Sequence, residues 1–128
     1  MIRAAVESMS PFFIVSDVRR SVAFYENKLG FKLSYSQSKG KPFFAILERD
    51  SVQLFVKSGE AAPLPNPKRD PEMRWDAYCH TEDPDTLAHE FAERGASFSS
   101  PLKDTTDGLL GFEISDPDGY VLFFGRPR

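Results

Sequence analysis

The first dense apolar run, Pro11-Phe-Phe-Ile-Val15, is rich in aromatic and β-branched residues and predicts a buried strand. Ser16 and Asp17 then offer side-chain oxygens to the free N–H groups of a helix start. Val18, Val22, Tyr25 and Leu29 follow at steps of four, three and four. These steps line one apolar helix face, and Gly30 supplies the left-handed residue that ends it. Three shorter β-rich runs come next, at Phe31–Ser36, Pro42–Glu48 and Ser51–Val56. They are parted by Ser38-Lys-Gly-Lys41 and Arg49-Asp50, which suit chain reversal. The first half thus reads as βαβββ.

From Gly59 to Pro71 the chain is rich in Pro, Ala and charge without periodicity, which predicts a linker or long surface loop. The same order then returns. A strand is expected over Arg74–Thr81. Asp83 reads as an N-cap and Pro84 as the first helical residue, where a missing N–H costs nothing. Leu87 and Phe91 lie one turn apart, Ala88 and Ala92 widen the face, and Gly95 closes it. Ser97–Ser100, Leu109–Ser115 and Tyr120–Gly125 supply three further strands, with Asp116-Pro-Asp-Gly119 as the last turn. Two βαβββ modules, about 8–58 and 72–127, therefore stand in tandem within one domain of residues 1–128, joined by linker 59–71. Duplicated units that cannot bury their faces alone gain by pairing.

Composition narrows the class. At 41% hydrophobic and 13% aromatic, the 128 residues carry enough apolar surface for a packed core. A formal net charge of −3 gives no basic field to gather nucleic acid or anionic lipid. The first ten residues contain Arg3 and Glu7 and lack the apolar run of a signal peptide. No later stretch nears the roughly 20 apolar residues of a membrane span. The expected location is cytoplasmic, with no nucleic acid or membrane as partner. Cys79, the single cysteine, cannot close an internal disulfide, and no C-x-x-C motif points to zinc or dithiol chemistry.

Three segments carry a family resemblance. Phe13-Ile-Val-Ser-Asp-Val-Arg-Arg-Ser-Val-Ala-Phe-Tyr-Glu-Asn-Lys-Leu-Gly-Phe31 resembles the opening strand and helix of the glyoxalase/bleomycin-resistance/extradiol-dioxygenase (vicinal oxygen chelate) superfamily. Phe112-Glu-Ile-Ser-Asp-Pro-Asp-Gly-Tyr-Val-Leu-Phe-Phe124 resembles its closing hairpin, and Arg74–Gly95 its second strand and helix. The resemblance spans nearly the whole chain. It implies an α+β fold of tandem βαβββ modules forming a curved mixed sheet around a cleft, with the helices on the convex side.

It also implies four metal positions on the cleft side. The first falls on Ser10, seven residues before Asp17, and the fourth-strand position falls on Gln53. Matching Asp83 to Asp17 puts the third on Asp76, and the last, seven residues after Asp116, falls on Phe123. Serine is a poor ligand, and a phenyl ring has no lone pair to donate. A shift of one residue, to Pro11, Trp75, Leu122 or Phe124, supplies nothing better. Neither metal nor other cofactor is expected, no catalytic residue carries over, and Lewis-acid chemistry has no support in these side chains.

Strand alternation places Phe12, Ile14, Gln53, Phe55, Asp76, Tyr78, His80 and Phe123 along the cleft. Trp75 and Cys79, of opposite parity, are expected to pack beneath the helix or against the other module. Asp76 calls for a partner, either Arg74 or a basic ligand. His80 has no carboxylate at a diagnostic spacing, and His89 sits on the solvated helix face. Such a lining suits a metal-free small-molecule binding protein resembling the bleomycin-resistance proteins, in which an aromatic or amphipathic organic ligand is held in an apolar cleft. The competing readings are a divergent glyoxalase-like lyase/isomerase or dioxygenase, a protein used for its interface, and aromatics that merely plug a core. The resemblance further implies a homodimer with a cleft shared between chains. A module of about 60 residues is marginal alone and gives the same expectation.

Overall fold

A computed structural model of the chain describes residues 1–37 and 40–128, so Ser38 and Lys39 of the first expected turn lie outside the described residues. The first unit runs β1 (Phe12–Ile14), α1 (Val18–Leu29), β2 (Lys32–Ser36), β3 (Phe44–Arg49) and β4 (Val52–Lys57). A short helix, α2 (Asn66–Arg69), follows. The second unit is β5 (Ala77–His80), α3 (Pro84–Glu93), β6 (Phe98–Asp104), β7 (Leu109–Ser115) and β8 (Val121–Pro127). The fold is α+β, with two separate four-stranded mixed sheets ordered β1-β4-β3-β2 and β5-β8-β7-β6. In each, the first strand lies parallel to the last, and the other pairings are antiparallel.

Both main helices start as the sequence dictates. Asp17 accepts from the N–H groups of Arg19 and Arg20, and Asp83 accepts from that of Thr86. Gly30 ends α1 at φ +67°. Strand edges depart from expectation at several places. Pro101 does not stop β6, because it falls on an edge strand within the register irregularity between Ser100 and Lys103, where a missing N–H is tolerated. The ladder around β5 covers only Asp76 to Thr81, so Arg74 and Trp75 precede it and escape its alternation. The expected linker is anchored rather than a simple tether. Pro65 is buried, the Asn66 N–H donates to Asp76 Oδ1 at 2.6 Å, and Asn66 Nδ2 donates to the Trp75 carbonyl.

The helix-facing sides of both sheets share one core. Leu29, Leu47, Leu54 and Val56 from the first unit join Phe91, Phe112, Leu122 and Phe124 from the second. Two clasps hold the seam. At one, Tyr25 donates to Asp116 Oδ2 at 2.9 Å, Tyr120 stacks on Phe13 at 4.2 Å, and the Tyr120 hydroxyl donates to the Ile14 carbonyl at 2.6 Å. At the other, Arg49 forks onto both Glu90 oxygens at 2.7 Å and also donates to the Leu29 carbonyl that ends α1. Arg94 joins through Glu90 at 2.8 Å.

Candidate functional site

With the helix sides joined, each sheet has a second face pointing away from the shared core. On the first sheet, cross-strand register builds one row, Phe12, Phe55, Ile46 and Tyr35, running across all four strands. A second row is Ile14, Lys57 and Phe44, and a third holds Gln53 and Glu48. The rings touch edge-on or tilted: Phe12 to Phe55 at 5.6 Å, Phe12 to Phe44 at 6.0 Å, Phe44 to Phe55 at 5.9 Å and Tyr35 to Phe44 at 6.1 Å. This is an open wall, since Phe12 is 54% and Tyr35 51% exposed. Its polar edge is the bond from Gln53 Nε2 to Glu48 Oε1 at 2.6 Å.

The second sheet presents the row Tyr78, Phe123, Glu113 and Ser100. Here the central ring is closed over, although Tyr78 beside it stays exposed. Phe123 is 1% exposed, its ring lying over Gly111 and Gly125, where any Cβ would overlap it. Trp75 stacks on the ring at 4.3 Å and Tyr78 flanks it at 5.6 Å. Glu113 Oε2 fixes the lid by accepting from Trp75 Nε1 at 2.9 Å and from Arg74 at 3.0 Å. Trp75 thus belongs to this outer face and not beneath the helix, a correction that follows from its place ahead of the β5 ladder. Cys79 does pack toward the core, and burial pushes its thiol up to about 12.

The eight sequence-derived cleft residues therefore fall in four places. Phe12, Ile14, Gln53 and Phe55 gather on the open wall, and Tyr78 and Phe123 on the closed one. Asp76 sits at the linker instead. Its two oxygens accept from the backbone N–H groups of Asn66 and Val121, while Arg74, its expected partner, pairs with Glu113. His80, at the exposed end of β5, has Nε2 3.0 Å from Glu82 Oε1, a local partner that the sequence reading did not find. Phe44, Tyr35 and Glu113 were missed. Phe44 and Glu113 enter through cross-strand register, and Tyr35 through a register irregularity between Leu33 and Tyr35 that turns it onto the wall.

Two hollows border the open wall. One, of about 510 Å³, is lined by Phe12, Ile14, Leu64, Arg69 and Tyr120 among others; the second, about 390 Å³, lies between Ile14, Lys57 and the linker residues Gly59–Ala61. A third hollow of about 280 Å³ lies on the helix side between Phe31, Leu87, Phe91 and Cys79, but the charges at its rim, Arg49 and Glu90, satisfy each other.

The four family metal positions do not fit a metal. Ser10 precedes the first strand, Gln53 is bonded to Glu48, both Asp76 oxygens hold backbone amides, and Phe123 is a buried ring. Among the described residues, no three His, Cys, Asp or Glu side chains gather as a ligand set. Nor is any helix among them long and apolar enough to cross a membrane.

Solved structures share this architecture. TioX from Micromonospora sp. ML1 superposes with a TM-score of 0.74 at 21% identity, over 96% of this chain and 100% of that one. The bleomycin-binding protein of bleomycin-producing Streptomyces verticillus, complexed with copper(II)-bleomycin, gives 0.73 at 21% identity, over 98% and 100%. A glyoxalase-related enzyme from Clostridium phytofermentans gives 0.75 at 18% identity, over 98% of each chain. At such identities the likeness is one of fold. No curated protein matches the sequence. The profile of the Glyoxalase/Bleomycin resistance protein/Dioxygenase superfamily matches residues 9–124, and with both βαβββ units in order the chain belongs to that superfamily.

Proposed function

We propose that this protein binds a flat or amphipathic small organic molecule on the open aromatic wall of the first sheet, without a metal. The observation that carries the reading is the contiguous array of Phe12, Phe44, Phe55 and Tyr35 on a face its own chain leaves exposed. Rings arranged edge-on around an exposed centre favour a planar guest, with stacking adding to the burial of apolar area. Two bleomycin-binding proteins of the same fold, one solved with copper(II)-bleomycin and one with bleomycin, support small-molecule binding as the use of this architecture.

The site is completed by a second copy of the chain in a homodimer. Among the described residues, no aromatic pair joins the rings of the open wall to those around Phe123, so one chain does not close a cleft between its own walls. A twofold partner that laid its closed wall over this open one would form two equivalent pockets.

The test is calorimetric titration of the protein, purified without added metal, with planar aromatic compounds, beside the variant Phe12→Ala. Removing one ring of a four-ring wall is expected to weaken binding roughly tenfold. Equal affinity in wild type and variant, or binding only after zinc, iron, nickel or manganese is supplied, would sink this reading.

A further inference from the structure

The charges around the open wall specify its ligand further than the rings do. Lys57 lies within the wall itself, with Ile14 and Phe44 as its cross-strand neighbours. Arg69, from α2, lines the hollow that shares Phe12 and Ile14 with this wall. Neither side chain forms an ion pair among the described residues, although Arg20, Arg49, Arg74, Arg94 and Arg128 all do.

The carboxylates nearby are mostly committed. Glu48 accepts from Gln53 and faces Lys32 across the β2–β3 pair. Asp76, in Arg69's own hollow, spends both oxygens on backbone amides. Glu60 is the remaining acid, on the rim of the hollow lined by Lys57. By charge alone these four groups balance, but Asp76 has both oxygens occupied by amides, so the groups left available to a guest are two cations without an ion pair among the described residues and one carboxylate, Glu60. Cations at the edge of an apolar surface attract a guest whose body is flat and whose end is anionic, because the low-dielectric wall weakens screening.

We propose that the ligand of this wall is an organic anion: a planar or amphipathic body stacked on Phe12, Phe44 and Phe55, with a carboxylate or sulfonate meeting Lys57 or Arg69, which line adjoining hollows that share Phe12 and Ile14. This rests on the small-molecule reading above and adds the sign of the ligand's charge. Basic guests are disfavoured by the same two side chains.

A matched pair of probes tests it on the full-length protein: 2-naphthoate and its neutral counterpart 2-naphthamide, titrated calorimetrically at low salt and at about 0.5 M salt, where the screening length is only a few ångströms. The naphthoate is expected to bind roughly tenfold more tightly at low salt, with the advantage largely lost at high salt. In the double variant K57Q/R69Q, the ratio of naphthoate to naphthamide affinity should fall to about one and lose its salt dependence. A thermal melt checks that the variant is folded. Equal affinities in wild type, or a preference for naphthoate that survives K57Q/R69Q, overturns the anionic assignment while leaving small-molecule binding intact. Failure of both probes to bind the wild-type protein overturns the small-molecule reading and this inference with it.

Discussion

Asp116 shows how much one side chain holds at the seam. Its Oδ1 accepts from the N–H groups of Asp118 and Tyr120, and its Oδ2 from the Tyr25 hydroxyl, inside a region where burial pushes its carboxyl up to about 6. A carboxyl whose folded pKa is raised from 3.8 makes a contribution fully present below 3.8, which is lost as pH rises through about 6. Asparagine preserves the shape: its oxygen takes the two amides, and its nitrogen can donate to Tyr25. The stability difference between wild type and Asp116→Asn is therefore expected to shift by about 2–3 kcal/mol between neutral pH and pH near 4, with the wild type gaining on acidification. Urea denaturation at several pH values measures this, and a pH-independent difference would show that the carboxyl does not titrate there. Glu90 works in the opposite sense. Its bonds to Arg49 hold it at about 2, so its contribution is present above 4.5 and lost as pH falls toward 2.

At the scale of elements, the end of α1 depends on one residue without a side chain. Gly30 stands at φ +67°, and a Cβ there would sit 2.8 Å from Arg49 Nη1 and 2.9 Å from Arg94 Nη2. Gly30→Ala is expected to cost about 2 kcal/mol, combining left-handed strain with displacement of the guanidinium that caps the Leu29 carbonyl. A loss below about 0.5 kcal/mol in chemical denaturation would mean that the clasp relaxes freely. The elements themselves were largely legible in the sequence. Asp17 and Asp83 cap where expected, and the spacing from Val18 to Leu29 gives α1 its full extent. What was not legible depended on neighbours. A four-residue helix such as α2 has too few residues for a period. Trp75 followed no parity because the ladder began after it. The closing of the second wall required Gly111 and Gly125 to be opposite one another, a register that no local pattern announces.

For the whole molecule, the exposed apolar side chains define the next level of organisation. Phe12, Ile14, Tyr35, Phe43 and Tyr78 are all exposed, and the first three lie together on one sheet face. Exposed apolar patches of that kind mark interaction sites in soluble folds. Light scattering at micromolar concentration is expected to give twice the 14.4 kDa chain mass, and ligand binding is expected to weaken on dilution as the dimer dissociates. A monomer that binds with full affinity at every concentration would reject the shared pocket. The four ligand positions were readable at this scale as residue types, and the structure added why their neighbours matter: Asp76 has the right chemistry but its oxygens are already occupied.

The shallow trough formed by Gly111 and Gly125 also bears on how such a protein can change over generations. The Phe123 ring fills it under Trp75, directly across from Glu113, whose one oxygen already holds both the indole and Arg74. A carboxylate arriving at position 123 would lie against that acid with no cation to spare, and a buried like-charge pair of this kind destabilises by several kcal/mol. A side chain at either glycine would collide with the ring and with a neighbouring backbone carbonyl, so the trough itself tolerates no substitution without rearrangement. Substitutions on the exposed open wall meet no such packing constraint, since Phe12 and Tyr35 are about half exposed. Installing a metal-ligating residue beneath Trp75 is, by contrast, expected to require several coordinated substitutions, at position 123 and among the groups packed on it.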